Sequence, residues 1–145
     1  MVRWMALGLV VCVLAASGAQ AQQLPARTFG SDAGIVLNFI KVDKTADFEA
    51  VVGKLKEALQ KSDKPQRKEQ AASWKVFKGQ EAAAGGNALY VFVIEPSVKG
   101  ADYEVFTILN EAFPSESRAL YDRFRESLAS GQTILNLALT ADFGK

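Results

Sequence analysis

Residues 34–59, GIVLNFIKVDKTADFEAVVGKLKEAL, decide the fold, because they predict a strand followed at once by an amphipathic helix. The stretch 34–42 is rich in β-branched and aromatic side chains, which are typical of a strand. Thr45 or Asp47 then offers a helix N-cap. Apolar residues recur after it at the spacing of one helix face: Phe48, Val51, Val52, Leu55 and Leu59.

The next part of the chain predicts two more strands. Residues 61–72 form a charged connection that contains Pro65, and residues 73–78 are a short strand. Residues 79–87 contain three glycines and predict a hairpin loop. Residues 88–95, ALYVFVIE, are almost continuously apolar, which is typical of a central strand.

A second helical region and a last strand complete the domain. The helical pattern begins near Gly100, is interrupted at Pro114 and ends before Gly131, and residues 132–140 predict a strand. The order is β-α-β-β-α(α)-β. It predicts an α+β fold of the ferredoxin-like type, over a single domain at 34–145, with a four-stranded antiparallel sheet and helices on one face.

The first 21 residues have the three parts of a signal peptide. Arg3 supplies the positive charge, residues 5–16 the apolar run, and Ala19-Gln20-Ala21 a small-residue cleavage site. The apolar run is too short for a membrane span, which needs roughly 20 residues. We therefore expect an exported protein, periplasmic or secreted, with no membrane segment after cleavage and a flexible lead-in at 22–33.

The composition excludes several kinds of chemistry. The 145-residue chain has no histidine, and its single cysteine, Cys12, leaves with the signal. These absences exclude histidine-based proton transfer, Cys/His zinc sites, disulfides and histidine-ligated haem. The formal net charge is +1, and it falls to zero when Arg3 is removed with the signal. We expect no cofactor, no metal and no nucleic-acid partner.

The predicted strands carry two apolar faces, because alternate side chains point to opposite sides of a sheet. The set assigned to the helix-covered core is Ile35, Leu37, Phe39, Leu89, Val91, Val93, Leu135, Leu137 and Leu139. The set assigned to the open face is Val36, Asn38, Ile40, Val42, Tyr90, Phe92, Ile94, Ile134, Asn136, Ala138 and Thr140, joined by Lys75 and Phe77. A largely apolar open face marks an interface or a binding cleft.

This element order, the apolar second face and the interrupted second helical region together resemble the dimeric α/β-barrel superfamily over about residues 34–140. In that superfamily two ferredoxin-like domains pack their open sheet faces together. Its members include antibiotic-biosynthesis-type monooxygenases, haem-degrading enzymes, chlorite-dismutase-like and dye-decolorising peroxidases, and stress-responsive proteins without known catalysis. The resemblance implies a homodimer and a cavity. The histidine that anchors haem in several of these families has no counterpart in this chain.

Six residues of the expected open face are candidates for ligand binding: Asn38, Lys75, Phe77, Tyr90, Phe92 and Asn136. The two asparagines either orient a polar group of a ligand or pair with each other or across a dimer axis. The aromatic rings serve interface packing, ligand stacking or the core. Lys75 with Tyr90 is an acid–base pair only if one pKa is strongly shifted. The indole N–H of neighbouring Trp74 also needs a partner, which a pocket or a carbonyl would supply.

Three functions follow from these patterns. The first is an exported domain without catalysis, which forms a homodimer through its open sheet face and binds a small apolar ligand. The second is a cofactor-free oxygenase- or isomerase-like enzyme of the barrel type, working with Asn38, Tyr90 and Asn136. The third is an accessory subunit of another exported protein.

Overall fold

The fold is built on one antiparallel sheet of four strands. The computed structural model describes residues 24–145, so the predicted signal at 1–21 lies outside the described residues. The strands are β1 (Ala33–Ile40), β2 (Trp74–Lys78), β3 (Ala88–Ile94) and β4 (Thr133–Leu137), and their order in the sheet is β2-β3-β1-β4. This is the ferredoxin-like order, and the predicted α+β fold is confirmed.

Four helices lie on one face of this sheet. They are α1 (Thr45–Lys61), α2 (Pro65–Ser73), α3 (Val105–Ala112) and α4 (Ser117–Ser127). The helical face predicted from Phe48 onward is confirmed, since Phe48, Val51, Leu55 and Leu59 are all buried. No helix within residues 24–145 has both the length and the apolar character that a bilayer crossing requires.

Helix α2 was missed by the sequence analysis, which gave residues 61–72 as a connection. The helix begins with Pro65 in its first turn, where the missing N–H of proline costs no hydrogen bond. Helix α2 lacks the apolar periodicity from which a helix is predicted, because the side chains that it buries are polar: Arg67, Gln70 and Ser73.

The hydrophobic core is centred on Phe48 of α1. Its ring lies 4.7 Å from that of Tyr90, 6.2 Å from Phe92 and 5.6 Å from Phe124, measured between centroids. Val36 and Ile40 of β1 belong to the same buried cluster. The helices therefore cover the strand residues Val36, Asn38, Ile40, Tyr90, Phe92 and Ile94.

The prediction of which sheet face is covered was therefore wrong, because the structure inverts it. The alternation was read correctly, but both sets are apolar enough to form a core. The covered set contains Asn38 and Tyr90, whose polar atoms find hydrogen-bond partners inside the protein. The set that was expected in the core, aliphatic except for Phe39, instead forms the open face, apart from Leu139, which lies beyond the end of β4. A shift of one residue in such a reading exchanges the two faces completely.

The segment before β1 packs on the covered side of the sheet. Phe29 is 1% exposed, and its ring meets Tyr103 edge to face at 5.1 Å. Gly34 makes this packing possible, because a Cβ at that position would lie 2.1 Å from the Phe29 ring. The backbone N–H of Arg27 donates to Asp102, which ties the same segment to the start of the second helical region.

Candidate functional site

The structure divides the six candidate residues between opposite sides of the sheet. Asn38, Tyr90, Phe92 and Asn136 have the register of the helix-covered side, and Lys75 and Phe77 that of the open side. This corrects their expected placement together on the open face. Lys75 and Tyr90 in particular lie on opposite faces, so the two side chains do not form an acid–base pair.

Asn38 is fully buried and fully engaged within the protein. Its amide nitrogen donates to the carbonyl oxygens of Val36 and Tyr90, each at 3.2 Å. Its side-chain oxygen accepts a hydrogen bond from the amide of Gln132, which in turn accepts one from Arg27. A buried amide that has these partners stabilises the junction of β1 with the segment before β4, and it has little capacity left for a ligand.

Asn136 does not pair with Asn38. It lies opposite Gly34 on β1, and its side-chain oxygen accepts a hydrogen bond from the backbone N–H of Gly30 at 2.9 Å. Its role in this structure is to hold the segment before β1 against β4.

Tyr90 points its hydroxyl to the rim of the sheet, where it donates to the carboxylate of Glu49 on α1. Burial, followed by this hydrogen bond, raises the pKa of Tyr90 above its ordinary value. The hydrogen bonds from Tyr90 and from Lys78, in that order, lower the pKa of Glu49. At neutral pH the phenol is a hydrogen-bond donor, and the cluster links α1 to β2 and β3.

The open face of the sheet is apolar across all four strands. Val91 lies at its centre, flanked by Leu37 of β1 and Phe77 of β2. Its apolar members are Ile35, Leu37, Phe39, Phe77, Leu89, Val91, Val93, Leu135 and Leu137, and the polar Thr133 of β4 and Lys75 of β2 lie at its borders. Phe77 is 55% exposed, and Leu135 and Leu137 are 43% and 38% exposed. We call this set the open face below.

Only one charged side chain shares the open face among the paired strand residues. Lys75 lies opposite Val93 on β2, which is an edge strand. The centre of the face is therefore uncharged, and its single cation lies at the border.

A groove of about 450 Å³ lies beside β2, between that edge strand and α1. Its walls are Val52, Leu55, Lys56, Leu59 and Gln60 of α1, Ala71 of α2, and Trp74, Lys75, Val76 and Phe77 of β2. We call it the β2 groove. Its volume falls within the range of small-molecule sites, roughly 300–1,000 Å³. It brings together two of the six candidates, Lys75 and Phe77, and leaves out the other four.

Trp74 is the one residue of the β2 groove with an unsatisfied buried polar atom. Its ring packs against Phe92 and Tyr103, each at 5.4 Å between centroids. Its indole nitrogen Nε1 is buried and has no hydrogen-bond partner among residues 24–145. The sequence indicated this need for a partner, but the α1 side of the groove could not be found without the tertiary structure.

A second polar cluster, around Arg67, is structural in its geometry. The guanidinium of Arg67 is nearly buried and donates to both carboxylate oxygens of Glu111 at 3.0 Å. It also donates to Gln70 and to the carbonyl oxygen of Asp102. Arg67 lowers the pKa of Glu111 through these hydrogen bonds. Each of these polar groups has a partner within the protein. The cluster therefore joins α2 to α3 and leaves no polar group free to bind a ligand.

The described residues offer no cluster of three or more potential metal-ligating side chains. No protein-family model, no curated protein and no solved structure gives a significant match to this chain. The open face and the β2 groove are therefore the features from which a function must be argued.

Proposed function

We propose that this protein is an exported domain that forms a homodimer by packing the open faces of two copies together, and that it binds a small, largely apolar ligand. The single observation that carries the proposal is the apolar character of the open face on all four strands. An antiparallel sheet that meets water on one side carries mainly polar residues there. This sheet carries aliphatic and aromatic residues instead.

The size of the open face suits a protein interface. Strands of 8, 5, 7 and 5 residues, with a rise of about 3.3 Å per residue and a spacing of about 4.8 Å, give a face of roughly 400 Å² in projection. The solvent-accessible area of the face is larger than this projected area, because the side chains form an uneven surface. An apolar patch of this size lies within the range, about 300–600 Å², in which the largest patches of monomers are often functional. It also approaches the roughly 600 Å² per partner of small stable interfaces.

The distribution of charge favours a second copy as the occupant. A twofold dimer places the same patch on both sides, so a patch must be compatible with itself. The centre, at Leu37 and Val91, has no charge to repel its counterpart. Lys75 lies on an edge strand, where its ammonium group remains in water at the rim. This arrangement of apolar centre and polar rim is typical of interfaces.

Export is supported by the signal pattern at residues 1–21 alone. Intact-mass measurement of the protein recovered from the medium or periplasm tests it. We expect a chain that begins at Gln22. A full-length chain retained with the cytosolic fraction would contradict export and leave the dimer to be judged separately.

Sedimentation velocity over a hundredfold range of concentration tests the dimer. We expect one species at twice the mass of the chain, dissociating only at the lowest concentrations. A species of single-chain mass at every concentration would contradict the proposal. A single-chain species that becomes larger only with another exported protein would favour the accessory-subunit alternative instead.

A further inference from the structure

We infer that the β2 groove binds a small carboxylate with an apolar body, of the class of medium-chain fatty acids. This inference rests on the ligand-binding part of the proposed function, and it supplies both the site and the chemistry of the ligand. It does not require the dimer.

The apolar body of the ligand follows from the walls of the β2 groove. Val52, Leu55 and Leu59 lie along one face of α1, and Trp74 and Val76 face them from β2. Hydrocarbon that enters a groove of this kind leaves water, and this burial of apolar surface favours binding. The volume of about 450 Å³ suits a short chain rather than a long lipid.

The negative charge of the ligand follows from the lysines of the β2 groove. Lys56 borders it on α1, Lys75 borders it at the edge strand with its side chain on the open-face side of β2, and no acidic residue lines it. Most lysines within residues 24–145 have a carboxylate within 4 Å, as Lys54, Lys61 and Lys78 do. Lys56 and Lys75 have none in that part of the chain. A groove with two unpaired cations and no anion attracts a carboxylate.

The indole of Trp74 is the second polar feature. Its buried N–H lacks a partner among the described residues. A ligand oxygen would accept a hydrogen bond from this N–H only after a neighbouring side chain moves aside, because the nitrogen is closed to solvent. The same ligand class suits the apolar walls and the two lysines.

Isothermal titration calorimetry with octanoate, and with 1-octanol as its uncharged counterpart, tests the inference on the protein produced from the full-length gene. We expect octanoate to bind one site per chain and 1-octanol to bind at least about fivefold more weakly, since a pair of rim charges contributes roughly 1 kcal/mol or more. We also expect the affinity for octanoate to fall as salt is raised.

Matched variants locate the site. Lys56→Gln combined with Lys75→Gln should weaken octanoate at least about fivefold and leave 1-octanol unchanged. Lys68→Gln is the control, because Lys68 is exposed, has no ion pair within residues 24–145 and lies outside the β2 groove.

Three results would overturn the inference: no octanoate binding, equal affinities for octanoate and 1-octanol, or equal losses in the Lys68 control and the double variant. Failure of the dimer is a separate result. Sedimentation velocity reports it without any ligand, and a protein of single-chain mass that binds octanoate would leave this inference intact.

Discussion

A lysine at the centre of the open face should separate the dimer. Val91 lies between Leu37 and Phe77 on neighbouring strands, about 5 Å from the edge strand β2 and about 10 Å from β4 at the opposite edge. In the free subunit Val91 is half-buried, so the ammonium group of Val91→Lys can still reach water. In the dimer the same group is covered from above, and the way to the nearer rim runs over Phe77 on β2, so the ammonium group cannot reach water without displacing that ring.

The expected magnitude follows from the cost of burying a charge. An unpaired ion in an interface costs several kcal/mol even after relaxation, and symmetry places one in each copy. Taking about 2 kcal/mol for each copy gives a loss of about 4 kcal/mol, which raises the dissociation constant about a thousandfold. The variant should then have single-chain mass where the unmodified protein is dimeric.

Sedimentation velocity measures the change, and Val42→Lys is its control. Val42 is 72% exposed on a short helical turn after β1, so the same substitution there should leave the dimer unchanged. Circular dichroism should show that both variants remain folded. A folded Val91→Lys protein that dimerises as tightly as the unmodified one would refute the reasoning.

Two further predictions concern the fold. Gly34→Ala should cost about 1–3 kcal/mol of unfolding free energy, because the added Cβ would overlap the Phe29 ring. Gly53→Ala in α1, where the Cβ meets nothing within 4 Å, should stabilise the protein by about 0.5–1 kcal/mol. Urea unfolding measures both, and equal effects of the two substitutions would contradict the packing of Phe29 on Gly34. Glu111→Gln should reduce stability at neutral pH but not at low pH, because the Arg67 guanidinium lowers the folded-state pKa of the Glu111 carboxyl. The stabilisation is complete above the unfolded-state pKa of this carboxyl and is lost as the pH falls through its folded-state pKa. A pH series of unfolding free energies in which Glu111→Gln matches the exposed control Glu126→Gln would contradict this prediction.

Much of the fold could be predicted because its signals are local. The strand at 34–42 and the apolar face that begins at Phe48 each depend on a period that the sequence shows directly. The strand order then follows from the order of elements, since few connections are compatible with it. Helix α2 was not predicted, because it packs through the polar side chains Arg67 and Gln70. Only Pro65 marked its start in the sequence.

The choice between the two sheet faces could not be made from the sequence. Periodicity separates Val36, Asn38 and Ile40 from Ile35 and Leu37, but it does not say which set the helices cover. The aliphatic character of the set that contains Ile35 and Leu37 suggested that this set was the covered one. What reverses this choice is tertiary: the buried amide of Asn38 is satisfied by partners far away in the chain, at residues 90 and 132.

The sequence predicted only part of the candidate site. Lys75 and Phe77 were expected to share one face with Asn38 and Tyr90. Strand β2 pairs with β3 in the register that puts Lys75 and Phe77 opposite Val93 and Val91, so they lie on the other side of the sheet from that set. The β2 groove needs α1 to stand beside an edge strand, and that depends on packing between segments about 20 residues apart or more. No local pattern carries this information.

The most direct test of the central claim is an isotope-filtered NMR experiment on a mixture of methyl-labelled and unlabelled protein. We predict intermolecular contacts to the methyl groups of Leu37, Val91 and Leu135, all on the open face. Methyl groups of the covered side, such as those of Val36 and Ile94, should show none. A mixture without intermolecular contacts at the open face, or with contacts only at the helices, would contradict the account.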